Sequence, residues 1–371
     1  MEKKYIGVQS IGVKLPIIRE GDNLADIVVE SVMNATKDYD QYKDTYIYNI
    51  EDKDIIGITE SVVARSQGNY VTIDDIVQFL NKMHITKNLI LYSPIMSRNR
   101  FSMILKAFAR YADNIKIVLA GDYDEQGNPN FGINQFTGVD IQKYYKELAA
   151  KENCKLHFIL NALYSLIDKH WKVITPNETF IDCRCHPEEA DQFTLKDIMN
   201  HPINNIVGYN SEYGLLGSNK ATEEKLKLFP EPVKAQKFVE DVQKRIFEKT
   251  GKHVIVCVYG DGCFHSPALN GLPGINEFAD PVPMPAYTDK DIIEGCPNEG
   301  KLKYYADLYP EKTIDELMEL LHQDKGENSV GKMTSEGCTP RRRDALLASL
   351  MDLTSGSGDR ATPVCIIKGY I

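Results

Sequence analysis

Between about residues 86 and 200, short apolar runs alternate with longer helical patterns, and this alternation restricts the fold more than any other feature of the chain. Asn88–Tyr92, Ile115–Ala120 and Lys155–Leu160 have the length and composition of buried strands. Arg100–Tyr111 and Val139–Ala150, which separate them, read as helices. Strands joined through helices form a parallel or mixed sheet covered by those helices. The predicted fold class is therefore α/β, with mixed sheets. The connection Gly121–Gly132 (GDYDEQGNPNFG) is polar and long, the mark of a functional loop.

The flanking segments are less regular. A β-like run, Tyr5–Val13, leads into a turn with Pro16 and Gly21-Asp22. Leu24, Ile27, Val28, Val32 and Met33 then recur at helical spacing, with Asp22 or Asn23 as the cap. Asp54–Val63 is apolar and β-branched and is predicted as a buried strand, ending in the turn Arg65-Ser66-Gln67-Gly68-Asn69. Glu231–Thr250 is predicted as an amphipathic helix with Val233, Phe238, Val239, Val242 and Ile246 on one face and Gly251 at its C-cap. A strand, His253–Tyr259, runs into Gly260-Asp261-Gly262, and residues 266–312 read as irregular. Thr339-Pro340 opens a last helix that runs to about Leu353; Ser355–Pro363 is a loop and Val364–Gly369 a closing strand. There is no internal repeat.

Length and composition exclude several classes. A chain of 371 residues suggests two domains, or one with a large insertion. Hydrophobic residues at 43% and charged residues at 26% rule out a disordered chain, a collagen and a coiled-coil rod. The net charge of −10 argues against nucleic-acid binding through phosphate neutralisation, but leaves room for a local basic pocket that takes a small anion. No apolar stretch reaches the length of a membrane span, and the N-terminus lacks the apolar core of a signal peptide, so a cytoplasmic protein with no membrane partner is expected. The scattered cysteines read as free thiols.

Several short motifs carry possible chemistry. Gly326–Lys332 (GENSVGK) has P-loop spacing, but Met333 replaces the Ser or Thr that would reach Mg²⁺, and a helix, Ile314–Leu321, precedes it instead of a strand; it reads as coincidence. Gly356–Ala361 fits a dinucleotide glycine pattern in the wrong order, helix before loop and strand after, yet its backbone N–H groups can cradle an anion. Cys183-Arg184-Cys185-His186 lacks the second ligand pair of a structural zinc site and reads as thiols on a surface turn. Arg341-Arg342-Arg343 is either a phosphate contact or a solvated cluster. Asp261 lies at a strand end between glycines, where a carboxylate holds Mg²⁺ or Mn²⁺ or simply forms an Asp-Gly turn.

Taken in order, five segments resemble the coenzyme F420-0:L-glutamate ligase (F420-0 gamma-glutamyl ligase) family. They are Gly12–Ile18 with Gly21–Leu24, Ile58–Gly68, Gly214–Asn219, Val256–Gly262, and Asp352–Gly369. The resemblance implies a gamma-glutamyl ligase-like core from residues 1–85 and 205–371, interrupted by an α/β insertion at 86–204. It further implies a GTP- and divalent-metal-dependent ligase, an intertwined homodimer, that adds L-glutamate to a small carboxylate acceptor through an acyl phosphate. The alternatives are a ligase that polyglutamylates folate, and a nucleotide-binding protein without ligase activity.

The nucleotide contacts so implied are Leu15, Pro16, Ile17, Ile18, Glu60, Ser61, Arg65, Asn219, Ser355, Gly356, Ser357, Gly358, Asp359, Arg360, Ala361 and Thr362. The implied metal site is Asp261, Gly262 and Ser357, holding Mg²⁺ or Mn²⁺. The chain departs from the family pattern at several points. A metal-binding aspartate falls at Leu216, with Glu212 and Asp359 as candidate replacements; the lysine near the nucleotide is Arg65; and a threonine or serine is Gly262. His265, near Asp261, reads as a partner of that carboxylate. Phosphoryl transfer depends on positioning and charge neutralisation, so no nucleophilic side chain is required.

Overall fold

The computed structural model describes residues 7–40, 45–46, 48–92, 99–119, 121–123, 129–135, 137–160, 170–175, 192–260, 284–293, 302–323, 343–355 and 361–371. The first part of the chain forms β1 (Gln9–Val13), α1 (Leu24–Ala35), the two-residue strands β2 (Tyr39–Asp40) and β3 (Thr45–Tyr46), β4 (Ile55–Thr59), α2 (Glu60–Ser66), β5 (Tyr70–Thr72) and α3 (Ile73–Lys82). The middle part contributes β6 (Asn88–Tyr92), α4 (Asn99–Tyr111), β7 (Asn114–Leu119), α5 (Ile141–Lys151), β8 (Lys155–Leu160), β9 (Lys172–Thr175) and β10 (Gln192–Thr194). Then follow β11 (Ser218–Thr222), β12 (Lys225–Leu228), α6 (Pro232–Thr250), β13 (Ile255–Tyr259), β14 (Ala286–Tyr287), α7 (Leu302–Leu308), α8 (Ile314–Gln323), α9 (Arg343–Ser355) and β15 (Val364–Lys368). The class is α/β.

Two five-stranded sheets organise these elements. The terminal sheet has the order β1-β15-β4-β13-β14 and joins the two ends of the chain. Within it β4 and β13 run parallel, Ile55 opposite Ile255 through Thr59 opposite Tyr259. The remaining pairs are antiparallel. The middle sheet is parallel throughout, in the order β10-β9-β6-β7-β8. A smaller antiparallel sheet, β11-β12-β5, lies between them in sequence and in packing.

The strands β4, β13 and β15 are almost continuously apolar, so the terminal sheet is buried on both faces. Ile56, Ile58, Val256 and Val258 meet α1 and α6, through Val28, Val32, Val239 and Val242. Their neighbours Ile55, Cys257, Tyr259 and Cys365 meet α9, through Leu347 and Met351. Each such buried aliphatic side chain stabilises the fold by about 1.5–3 kcal/mol. Gly57 is required here, because a Cβ on it would run into the Met351 thioether. The middle sheet shares one core with α3, α4 and the β11–β12 hairpin, including Phe79, Ile104, Phe108, Ile117, Leu226 and Leu228.

Local signals fix the helix ends. Asn23 caps α1, Thr72 and Asp75 form a capping box on α3, and Glu231 caps α6 ahead of Pro232. Gly251 ends α6 in the left-handed region at φ 69°. The structure corrects several expectations. The strand predicted over Asp54–Val63 stops at Thr59, and Glu60 begins a helix whose buried face is Glu60, Val63 and Ala64. Val233 is exposed; the buried stripe of α6 is Ala235, Val239, Val242 and Ile246. The stretch 266–312 contains a helix, α7, as well as β14. Thr339-Pro340 lies outside the described residues, where α9 is seen from Arg343. In the polar loop after β7, buried Asn130 ties back to the Gly121 carbonyl at 3.0 Å. Cys154, Cys257 and Cys365 are free and buried. Among the described residues no helix is long and apolar enough to cross a membrane.

Candidate functional site

Ligands in α/β sheets bind beyond the carboxyl ends of parallel strands. In the terminal sheet those are the ends of β4 and β13, where Thr59 and Tyr259 sit side by side. Both ends of the chain are tied to this spot. The Thr59 N–H donates to the Pro363 carbonyl at 3.0 Å, and the Leu15 N–H to the Ala361 carbonyl at 3.0 Å. The Thr362 hydroxyl donates to the Ser355 carbonyl at 2.7 Å, which closes the base of the last loop. Gly12 allows this approach: a Cβ there would stand 3.2 Å from the Thr362 Cβ. Ala361 holds φ at +56°, unusual for a residue with a side chain.

Glu60 is the first residue of α2 and 6% exposed. Its carboxylate Oε1 accepts from Asn219 Nδ2 at 3.1 Å and from Lys227 Nζ at 3.3 Å. Asn219 and Lys227 face each other directly across the β11–β12 pair, which brings both to one carboxylate. Lys227 is 7% exposed. On the other side of Glu60 lies Gly260; a Cβ on it would stand 3.8 Å from the Glu60 Cγ and 3.2 Å from the Phe229 ring. Phe229 packs edge-on against Tyr213, with ring centroids 5.7 Å apart. Tyr213 in turn lines a cleft of about 770 Å³, shared with Glu212, Lys237, Glu240 and Tyr287. That volume is in the range of small-molecule sites.

Beneath the strand ends the groups are uncharged. Tyr259 is fully buried and its hydroxyl contacts the Cys365 sulfur. Burial raises the Tyr259 pKa and pushes the Cys365 thiol up to about 11. Burial likewise raises the Cys257 thiol. None of these is a nucleophile near neutral pH.

Of the residues singled out from sequence, the structure brings together Leu15, Glu60, Asn219, Ser355, Ala361 and Thr362. Leu15 and Ile18 are buried, Pro16 is exposed, and Ile17 is 79% exposed. Ser61 is half-buried beside Glu60. Arg65 is exposed in the last turn of α2. Among the described residues Lys227, which the sequence reading does not single out, is a cation that reaches Glu60. Gly356, Ser357, Gly358, Asp359, Arg360, Asp261 and Gly262 lie outside the described residues, as do His265, Gly326–Lys332 and Cys183–His186.

Leu216 is buried, and its backbone carbonyl accepts from Arg100 Nη1 at 2.9 Å. The leucine side chain carries no oxygen, so this position offers a metal no side-chain ligand. Glu60 Oε1 is engaged by an ammonium and a carboxamide. Among the described residues no group of three or more His, Cys, Asp or Glu is placed to hold a metal ion.

A family model described as F420-0:gamma-glutamyl ligase matches residues 12–369, which takes in both sheets. No curated protein matches the chain.

Proposed function

The chain belongs to the F420-0:gamma-glutamyl ligase family, and from that premise we propose that it joins L-glutamate to a small carboxylate acceptor at the expense of GTP. The acceptor carboxylate attacks the γ-phosphorus and GDP leaves, giving an acyl phosphate. The amino group of glutamate then attacks the acyl carbon, phosphate leaves and the nitrogen sheds a proton, so that an amide remains.

The observation that carries this reading is the meeting of both chain ends at the carboxyl ends of β4 and β13. Leu15, Thr59 and Ala361–Pro363 are joined there by backbone hydrogen bonds, next to Glu60 and Asn219. Backbone N–H groups and hydroxyls are what a triphosphate requires, because phosphoryl transfer depends on positioning more than on covalent help. Ser355 and Thr362 hold the base of the last loop, and the glycines within it, Gly356 and Gly358, allow a phosphate to approach the backbone. The adjoining cleft lined by Tyr213 and Tyr287 would take the acceptor. A divalent metal, when bound, would neutralise phosphate charge; Asp261, the Gly262 backbone and Ser357 are the residues proposed to hold it. A homodimer belongs to the same proposal.

The test is turnover. The chain is expected to release GDP and phosphate only when glutamate and an acceptor such as coenzyme F420-0 are both present, with the product gaining one glutamyl residue by mass spectrometry. Nucleotide binding without turnover on F420-0 or folate would reduce the reading to a nucleotide-binding protein. Asp261→Asn should abolish metal-dependent GTP binding in a folded protein; unchanged affinity for GTP with Mn²⁺ by calorimetry would remove Asp261 from the site.

A further inference from the structure

The middle sheet is parallel, and parallel sheets are ordinarily covered on both faces. Here one face is closed and the other is partly open. Leu89, Leu91, Ile115, Ile117 and Leu156 point into the core that also holds α3, α4 and α5. The alternate positions of β7 and β8 point the other way. Asn114, Lys116, Val118 and Ile159 are half-buried there, while Lys155 and His157 are exposed. The register sets them in rows: Asn114 beside Lys155, Lys116 beside His157, and Val118 beside Ile159. Lys116 Nζ also lies 4.0 Å from the centre of the Trp171 ring. The open patch is therefore apolar toward the carboxyl ends of its strands and basic below, in a chain whose net charge is −10. Among the described residues, α4 and α5 share the core of the closed face and leave this patch uncovered.

A second surface has the complementary character. α7 and α8 pack on each other around a small core of their own, in which Tyr305 and Leu317 are buried. Other apolar side chains of this helical pair face outward: Leu308 is 51% exposed and Ile314 70%. On α8, Ile314 and Met318 are four residues apart and share one side of the helix. Asp315 and Glu319, both exposed, flank them at the same spacing. From Leu302 to Gln323 five acidic residues stand against two lysines. An amphipathic helix that leaves its apolar stripe in water lacks a partner surface.

We propose that the acidic helical pair α7–α8 of one copy docks on the open, basic face of the middle sheet of a second copy, and that the exchange is reciprocal. Helices are what the second face of a parallel sheet takes. The apolar stripe of Ile314 and Met318 meets Val118 and Ile159, and the carboxylates beside it meet Lys155 and His157. Opposite charge on the two surfaces fixes the partner, because a copy that offers like charge is rejected. When each copy gives its helices and receives its partner's, the two contacts are equal and the assembly closes as a twofold dimer. The proposal names surfaces for the homodimer put forward above. It holds for any reaction the chain catalyses, since neither surface includes a residue assigned to the nucleotide or metal site.

Sedimentation equilibrium on the full chain tests it, with circular dichroism as the check on folding. Wild type should be a dimer at micromolar concentration. Ile314→Lys/Met318→Lys puts ammonium groups in place of the apolar stripe and should raise the dimer dissociation constant roughly tenfold or more. Lys155→Glu/His157→Glu should weaken the dimer from the sheet side, and Asp315→Lys/Glu319→Lys from the helix side. Combining these last two pairs in one chain restores opposite charge across the contact and should recover most of the wild-type affinity. Separate damage to the folding of either surface gives no such rescue. A monomeric wild type overturns the proposal. So does a dimer that neither surface's variants weaken, because that dimer is built elsewhere. Carbodiimide cross-links between α8 and β8 should join light to heavy copies in an isotope-labelled mixture; links confined to single chains overturn the exchange. Turnover is read separately. A wild type that glutamylates its acceptor as a monomer ends this proposal alone, whereas a dimer that responds as expected but never turns over ends the ligase reading alone.

Discussion

The terminal sheet and the middle sheet use their buried and half-buried charges for different purposes. Beside the terminal sheet, Glu60 of α2 meets Lys227 of the β11–β12 hairpin near the ends of β4 and β13. In the middle part, a network of charges runs along the outside of α4. Arg110 bonds Glu152 through Nε and Nη2, each at 2.9 Å, and reaches Asp74 and Glu224 through Nη1, while Lys106 pairs with Glu224. That network fastens α3, α5 and the tip of the β11–β12 hairpin to one helix. One pair of charges lies buried near the strand ends, and the other network holds the hairpin that carries Asn219 and Lys227. Parallel strands alone do not make a site; it matters what the loops and hairpins bring to their ends.

Damage to the core of the middle part should therefore cost stability and leave nucleotide affinity intact. Phe108, 1% exposed, lies in the core that α4 shares with the sheet and the hairpin. Phe108→Ala should destabilise by about 3–5 kcal/mol in urea titration. Where the variant is folded, GTP affinity should match wild type; a large loss would mean that the two regions are not separate in function.

Glu60→Ala should cost less stability, about 3 kcal/mol, by leaving the Lys227 ammonium buried without its carboxylate. Here stability and ligand affinity should fall together, the reverse of the Phe108 result. Retained affinity for GTP with Mn²⁺ would place the site elsewhere on the terminal sheet.

Much of this contrast was legible in the sequence, and the part that was not has specific causes. The strands β6, β7 and β8 and the helices α4 and α5 announced themselves because their apolar runs are short, separate and periodic, whereas β9 and β10, only four and three residues long, did not. The apolar, β-branched runs of β4, β13 and β15 likewise marked them as strands. The change from strand to helix at Glu60 was hidden, since Val62 and Val63 are β-branched and favour a strand. The decision there is tertiary: α2 packs on β12 and beside β4 and β13, and Val63 and Ala64 turn inward. Lys227 was hidden for a different reason. In Lys225-Leu226-Lys227-Leu228 it looks like one more solvated lysine, and only the register opposite Asn219 turns it toward Glu60. Val233 misled because its place in the first turn of α6 points it to solvent. The order of strands in either sheet has no local signature.

A smaller effect separates fastening from function more finely. Arg110→Met removes three carboxylate contacts on a half-buried side chain, and should cost about 1 kcal/mol, less at high salt. GTP affinity should not move. If it falls along with stability, the hairpin needs this clamp to present Asn219.

The smallest expected effect has a definite sign in pH. The Glu224 carboxyl is held below its ordinary pKa, first by the hydrogen bond from Lys106 and then by Arg110. A group depressed in the folded state contributes stability above its unfolded pKa and loses it as pH falls through the folded value. Glu224 is more than half exposed, so solvent screening limits the gain to a few tenths of a kcal/mol, about 0.2–0.5. Glu224→Gln should therefore be slightly less stable than wild type at neutral pH, and the two should converge once the pH drops below the ordinary carboxylate range of about 4. Thermal melts of both proteins across that interval measure the gap directly. A gap that persists at low pH would mean that Glu224 acts through packing, and that the clamp on the hairpin is not electrostatic.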